Sequence, residues 1–312
     1  MITKLIRGLS NITPKHQGAV ATIGNFDGVH KGHQALIDRV KNESKILGSS
    51  SLVITFEPQP LEFFAPEKSV ARLTRFREKF FQLCALDIDQ VQVLRFNKSF
   101  AELSAEAFIT KVLYDSLRVK KVIVGEDFRY GKDREGDITL LKRLGRELGF
   151  SVETSHSVLF QGKRVSSTWV RQALQNADHD LVFELLGRPY SMMGRVVYGD
   201  QRGRLLGFPT ANIYLHRNAS PVLGIYAVRI HGLKDEALTG VANVGIRPTV
   251  GGTRTLLEVH IFDFNENIYG KYVTVEFCKK FRDEERYANL DLLREQIEKD
   301  AIEAREYFRS EE

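Results

Sequence analysis

Apolar and polar positions follow two different rhythms along the chain. Up to about residue 185, β-branched apolar runs recur at AVATIG (19–24), SLVITF (51–56), VQVLRF (91–96) and KVIVGED (121–127). Segments with helical spacing lie between them, over 33–47, 72–86, 101–117 and 137–148. Strands that alternate with helices at this spacing build βαβ units, so the pattern predicts a parallel sheet with helices on both faces. A further strand is expected at SVETSHSV (151–158), followed by GKRVSSTWVRQAL, read as a strand leading into a serine-capped helix near Trp169. From about residue 190 short strands dominate: MMGRVVYG, GIYAVRIHG, LTGVANVG, TLLEVHIFDF and KYVTVEFCKKF. Glycine and proline punctuate them, which predicts an antiparallel barrel or sandwich. Leu290, Leu293, Ile297, Ala301 and Tyr307 then form a helical stripe expected to pack on that β region.

The change of rhythm divides the chain into an expected α/β domain over 1–184 and a β domain over 185–312. A length of 312 residues, with 43% of them hydrophobic, is enough for two cores. The net charge of +5 is mild and comes without a basic tail or a run of five like charges, so no nucleic-acid partner is expected. Cys84 and Cys278 stand far apart and outside any CxxC pattern, which argues against a structural zinc site or a disulfide scaffold. The N-terminal stretch lacks the apolar centre of a signal peptide, and no apolar run approaches the ~18 residues of a membrane helix. A cytoplasmic protein is expected.

The candidate chemistry starts at GNFDGVHKGH (24–33), where the first long apolar run passes into a helix. In a doubly wound sheet this is where ligands bind. Gly24 and Gly28 permit tight turns, Gly32 allows close approach to the backbone, and the following helix offers unpaired N–H groups to a phosphate. The loop is neither a P-loop nor GxGxxG. His30 and His33, one helical turn apart, are suited to stabilising charge on a phosphoryl group during in-line displacement. A metal pair is the competing reading, although no third ligand lies nearby and the HExxH spacing is absent.

This loop resembles the first nucleotidyltransferase signature of the prokaryotic bifunctional riboflavin kinase/FMN adenylyltransferases. TFEPQPLEFF (55–64), GEDFRYGKDREGD (125–137) and VSSTWVR (165–171) are similar to that family's later adenylyltransferase motifs. GRLLGFPTAN (203–212), GIYAV (224–228), NVGIRPT (243–249) and LEVHIFDF (257–264) are similar to its kinase motifs. The resemblance implies a Rossmann-like nucleotidyltransferase domain, then a six-stranded antiparallel barrel with a C-terminal helix. It implies ATP, riboflavin and FMN as substrates, FAD as product, Mg²⁺ as cofactor, and a monomer or weak oligomer.

For single residues, the resemblance implies that His30 and His33 contact ATP phosphates within the loop of Gly24, Asn25, Phe26 and Gly32. Ser166, Ser167 and Thr168 would hold the triphosphate at a helix start, with Arg171 as a phosphate clamp. Asp127 and Phe128 would lie near flavin and nucleotide. Gln59 stands where many members carry histidine, and glutamine keeps a hydrogen-bonding side chain. In the kinase half, Gly203 and Gly207 would admit phosphates, and Thr210 and Asn212 would serve Mg²⁺ as hard oxygen donors. Glu258 would be the general base, and Asn243 and Arg247 are further flavin-site candidates. Strand alternation places Leu256, Glu258 and His260 on one face, and Leu257, Val259 and Ile261 on the other. Two other readings remain at this point: a nucleic-acid-linked nucleotidyltransferase, since HxGH occurs across that superfamily, and a flavin carrier without turnover.

Overall fold

The computed structural model describes residues 2–65, 70–199, 207–215, 217, 219–249 and 252–311, without the side chains of 247–249 and 252–254. Gly203 and the Arg247 side chain therefore lie outside what is described. The chain divides into two compact units: Met1–Ser69 with Thr74–Ser166, and Val70–Leu73 with Ser167–Glu312.

The first unit contains, in chain order, β1 (Lys4–Arg7), β2 (Val20–Ile23), α1 (Lys31–Ile46), β3 (Ser51–Glu57), α2 (Pro60–Phe64), α3 (Phe76–Ala85) and β4 (Gln90–Arg95). It continues with α4 (Lys98–Ala101), α5 (Ala105–Phe108) running into π-helical turns at Ile109–Ser116, β5 (Lys121–Gly125), α6 (Ile138–Leu148), β6 (Ser151–Ser155) and the short β7 (Leu159–Phe160) and β8 (Lys163–Arg164). Strands β1 to β6 form one parallel sheet in the order β1-β4-β3-β2-β5-β6. Side-chain alternation builds two cores on it. Ala21, Ile23, Leu52 and Ile54 face Phe108, Val112 and Leu141, whereas Val20, Val53 and Val91 face Ile37, Val40 and Leu83. Both faces are thus covered, as the apolar runs require.

Several boundaries differ from the sequence reading. Edge strand β1 was not expected, because KLIR has one fully buried residue, Ile6, and therefore no apolar run. The helix expected over 72–86 spans only Phe76–Ala85, and a short α2 starts at Pro60. The serine-rich helix begins at Ser167, so Ser167 and Thr168 lie inside its first turn rather than ahead of it.

The second unit holds α7 (Ser167–Gln175), α8 (His179–Leu186), β9 (Ser191–Val197), β10 (Ala211–Tyr214), β11 (Gly224–His231), β12 (Leu238–Thr249), β13 (Gly252–Ile261), β14 (Tyr272–Arg282) and α9 (Leu290–Arg309). The six strands β9 to β14 close into an antiparallel barrel in the order β10-β13-β12-β11-β14-β9. Closure leaves no unpaired strand edge. Ala301, Ala304 and Phe308 of α9 cover Ile225, Ala227 and Val241 on the outside of the barrel. The helix packs on the β region through Ala301 and Tyr307 of the expected stripe, joined by Ala304 and Phe308, whereas Leu290 at its start is 65% exposed.

Candidate active sites

Chain order places the reversal of the parallel sheet between β2 and β5, since β3 and β4 lie on one side of β2 and β5 on the other. Loops leaving the C-terminal ends of two such strands diverge and open a crevice. Those loops are 24–30 and 126–137. Gly24 N–H donates to the Ile54 carbonyl at 3.1 Å, which holds the root of the first loop against β3. Phe26 (φ 49°) and Val29 (φ 41°) both adopt the left-handed region, which is costly for bulky and β-branched residues. Thr74 holds them there: its N–H donates to Asp27 Oδ1 at 2.9 Å, and its hydroxyl accepts from Gly28 N–H at 2.9 Å.

His30 is the N-cap of α1, and its Nδ1 accepts the His33 backbone N–H at 3.3 Å. In the neutral ring that bond leaves the proton on Nε2. The His33 ring stacks on His30 with centroids 3.7 Å apart and planes 16° from parallel. Phe26, almost wholly buried, closes the other side at 5.1 Å. His33 protonates well below the usual histidine range: burial is the main cause, followed by the nearby charges of His30, Lys79 and Arg164. Its Nδ1 is buried without a hydrogen-bond partner among the described residues.

Gly32 has a reason other than ligand approach. A Cβ there would lie 3.1 Å from Cε1 and Nδ1 of His30. On the role that the sequence resemblance implies for this loop, Gly32→Ala is expected to tilt the His30 ring out of its stack and to lower FAD formation from FMN about tenfold or more, because small displacements of reacting-site groups are costly. FMN formation from riboflavin by the same chain serves as the folding control. An unchanged rate of FAD formation would show that the stack is dispensable.

Beside this loop a cavity of about 550 Å³ is lined by Gly24, Asn25, Phe64, Phe100, Phe128 and Tyr130, among others. Phe56, Phe96 and Phe100 contact one another in edge-on or tilted geometry with centroids 5.7–6.0 Å apart, and Phe128 stacks on Tyr130 at 5.4 Å. An apolar slot walled by rings suits a flat aromatic ligand. At its polar end Arg164 grips Asp127 through two bonds of 2.9 and 2.8 Å. That grip holds the Asp127 carboxyl below its usual range. Sequence reading named Asp127 and Phe128 but missed Arg164, Phe64, Phe96 and Phe100. Arg164 was signalled only by its place just before SST. Gln59 is buried at the N-cap of α2, and its Nε2 has no partner among the described residues. Arg171, in the first turns of α7, donates from Nε to the Ala71 carbonyl at 2.7 Å.

In the barrel, strand register assembles a second site. Asn212 of β10 pairs with Glu258 of β13, and Glu258 pairs with Asn243 of β12. Directly paired residues project from the same face, so these three polar side chains form one row. The alternation expected on β13 holds: Leu257, Val259 and Ile261 are buried, and Glu258 and His260 are partly exposed. Asn243 Nδ2 donates to Glu284 Oε1 at 3.2 Å, while Asn243 Oδ1 is buried without a partner among the described residues. Asn212 is 7% exposed, and a Cβ at Gly199 would collide with its amide.

Just before Asn212, Thr210 lines a cavity of about 460 Å³ with Pro209, Val259 and Tyr269. His260, on the Glu258 face, has Nδ1 2.9 Å from the Pro209 carbonyl. A carbonyl only accepts, so Nδ1 carries the proton and pins the PTAN turn. Sequence reading gave His260 no role. Gly207 adopts φ +88°, a conformation that favours glycine. No group of three or more His, Cys, Asp or Glu side chains able to hold a metal occurs among the described residues. That leaves the histidine pair of the first unit without the further ligands a metal reading needs.

Residues 12–169 match the family model for FAD synthetase, and residues 186–308 match that for riboflavin kinase. The bifunctional riboflavin kinase/FMN adenylyltransferase of Escherichia coli (strain K12) is 49% identical over 306 residues, which cover 98% of each chain. The protein of that name from Pseudomonas fluorescens is 46% identical over 303 residues, or 97% of each chain. A solved structure from Streptococcus pneumoniae, described as a macrolide-efflux protein, is 30% identical with a TM-score of 0.78, covering 96% of this chain and 97% of its own. Among the described residues, no helix is long and apolar enough to cross a membrane. The chain belongs to the bifunctional riboflavin kinase/FMN adenylyltransferase family, and it uses ATP to convert riboflavin to FMN and FMN to FAD.

Proposed function

We propose that the histidine loop carries the adenylyl transfer, within residues 1–184, and that the Asn212–Glu258–Asn243 row carries the phosphorylation, within 185–312. The stacked His30 and His33 rings beside an aromatic-walled cavity support this reading most strongly, because they put donors for a phosphoryl group next to a slot for a flat ring. In the first reaction a phosphate oxygen of FMN attacks the α-phosphorus of ATP, and pyrophosphate leaves. His30, whose Nδ1 is engaged, presents Nε2–H to the charge that builds on the α-phosphoryl oxygens. His33 gives its remaining donor capacity to the same group. Gly24, Asn25 and the first N–H groups of α1 receive the phosphates, and Asp127 with Phe128 receives the flavin. Ser166, Ser167, Thr168 and Arg171 serve the triphosphate.

In the second reaction the ribityl 5′-hydroxyl attacks the γ-phosphorus, ADP leaves, and Glu258 takes the hydroxyl proton. Thr210 and the nearly buried Asn212 offer hard neutral oxygens, a donor set that fits Mg²⁺ shared with substrate phosphates, and the buried, unpartnered Oδ1 of Asn243 lies in the same row. When bound, Mg²⁺ offsets the phosphate charge. Asn243 and Arg247 serve the flavin, and Gly203 and Gly207 leave room for phosphates. The enzyme works in the cytoplasm as a monomer or weak oligomer, with small molecules as its partners.

The test is a time course with riboflavin, ATP and Mg²⁺, the flavins being separated by chromatography. FMN is expected to rise first and then fall as FAD accumulates. Chelation of the divalent cation is expected to stop FMN formation, and added Mg²⁺ to restore it. FMN formation that continues at full rate under chelation would remove the metal from Thr210 and Asn212.

A further inference from the structure

The segment Val70–Leu73 belongs to the second unit, although the chain on both sides of it belongs to the first. Side chains of the second unit hold its backbone. Arg171 Nε donates to the Ala71 carbonyl at 2.7 Å, Arg217 Nη1 to the Arg72 carbonyl at 2.7 Å, and the Tyr190 hydroxyl to the Leu73 carbonyl at 2.9 Å. Arg217 Nη1 also lies 3.3 Å from the Tyr190 oxygen. The Tyr190 ring is buried and stacks on Phe277 of β14 with centroids 6.0 Å apart, which gives its hydroxyl a fixed origin. The Leu73 carbonyl and the Thr74 N–H are the two ends of one peptide group. Thr74 belongs to the first unit; its N–H donates to Asp27 Oδ1 at 2.9 Å, and its hydroxyl accepts from Gly28 N–H at 2.9 Å. Leu73, Thr74 and Asp27 are all buried. A peptide group is planar and stiff, so a fixed carbonyl narrows the directions open to its N–H. A carbonyl that accepts a hydrogen bond also makes the N–H of the same group a better donor.

We propose that Tyr190, backed by Arg217, is a positioning residue for adenylyl transfer: by holding the Leu73 carbonyl it sets the Thr74 brace on the histidine loop, so that a side chain of the second unit tunes the reaction of the first. This rests on the assignment of the histidine loop to that transfer. Every hydrogen bond in the relay lies within one unit, and the covalent Leu73–Thr74 peptide joins the two. The loop needs a brace because Phe26 and Val29 hold left-handed φ values of 49° and 41°. Bulky residues persist in that region only where their surroundings fix them. Asp27 and Gly28, the residues that Thr74 grips, are the two between them. His30 follows Val29 directly and caps α1 from the end of that turn. When the grip loosens, the turn relaxes and the His30 ring leaves the position from which it meets the phosphoryl group. A displacement of this kind costs rate even though no reacting group has been removed.

Tyr190→Phe removes the hydroxyl and keeps the ring. In the full chain, kcat for FMN adenylylation is expected to fall about tenfold. The KM for FMN should stay within about twofold, because Tyr190, Leu73 and Thr74 do not line the aromatic-walled cavity. Riboflavin phosphorylation, the reaction of the unit that contains Tyr190, should also stay within about twofold. Amide hydrogen exchange at Thr74 and at residues 26–30 should quicken. A tyrosine that only stabilises its own unit would give the opposite signature, with phosphorylation falling first. Loss of phosphorylation with adenylylation kept, equal loss of both, or parent-level adenylylation would each overturn the inference. If Tyr190→Phe does not fold, Arg217→Lys decides. It keeps the charge but loses the planar fork that reaches Arg72 and Tyr190. A selective loss of adenylylation there carries the inference, and the parent rate overturns it. His30→Ala in the same assay separates the two readings. Full adenylylation without the His30 ring would sink the site assignment itself. Loss in His30→Ala with the parent rate in Tyr190→Phe would sink only the role of Tyr190.

Discussion

Replacing His30 by alanine is expected to stop FAD formation while FMN accumulates from riboflavin. The loss should be about 10²–10³-fold, the range for removing one preorganised donor from a developing oxyanion. His30 has a second job that the alanine variant also removes, since its Nδ1 caps α1 through the His33 N–H. A lost cap costs about 1 kcal/mol of stability. His30→Asn separates the two roles, because asparagine is a strong N-cap residue without an imidazole. Its stability should approach that of the parent, and its adenylyl transfer should remain at the alanine level. Recovery of transfer in the asparagine variant would make the cap, rather than the ring, the requirement.

Acid should expose the same site. The folded His33 binds its proton less readily than the unfolded chain does. As pH falls below the ordinary histidine value of about 6.5, the unfolded state therefore takes up more protons, and the first unit loses stability. Above that value this contribution is pH-independent.

Replacing Glu258 by glutamine is expected to have the converse effect. FMN formation should fall about 10²–10⁴-fold, the usual reach of a general base, while supplied FMN is still converted to FAD at the parent rate. Glutamine keeps the length and hydrogen bonding of the side chain, so the row with Asn212 and Asn243 is preserved and only the proton acceptor is lost. Steady-state rates for each half reaction, measured on the same preparation, decide this. Parent-level FMN formation in Glu258→Gln would reject the carboxylate as base. Loss of both reactions in a folded variant would reject the division between the two sites.

Most strands of both units were legible because their signals are local, whereas β10 (Ala211–Tyr214), just after Pro209, read as part of the GFPTAN loop. Period-two alternation and continuous β-branched runs report burial directly, so the doubly wound sheet and the other barrel strands stood out. The π-helical turns at Ile109–Ser116 and edge strand β1 did not, because neither depends on a sequence period. The row at Glu258 was half legible. Alternation put Glu258 on the outward face of β13, but only register across three strands brings Asn212 and Asn243 beside it.

By itself the sequence determined that HxGH stands between a strand and a helix, that SST stands close to a helix start and that Glu258 lies on a strand, since hydrophobic period and turn chemistry act over a few neighbouring residues. Only the tertiary structure decided that Gly32 makes room for the His30 ring, that Arg164 grips Asp127, and that phenylalanines from separate segments wall one cavity. Apart from Gly32 and His30, those relations join residues tens of positions apart. They depend on strand order and on which face each helix covers, and no local pattern encodes either.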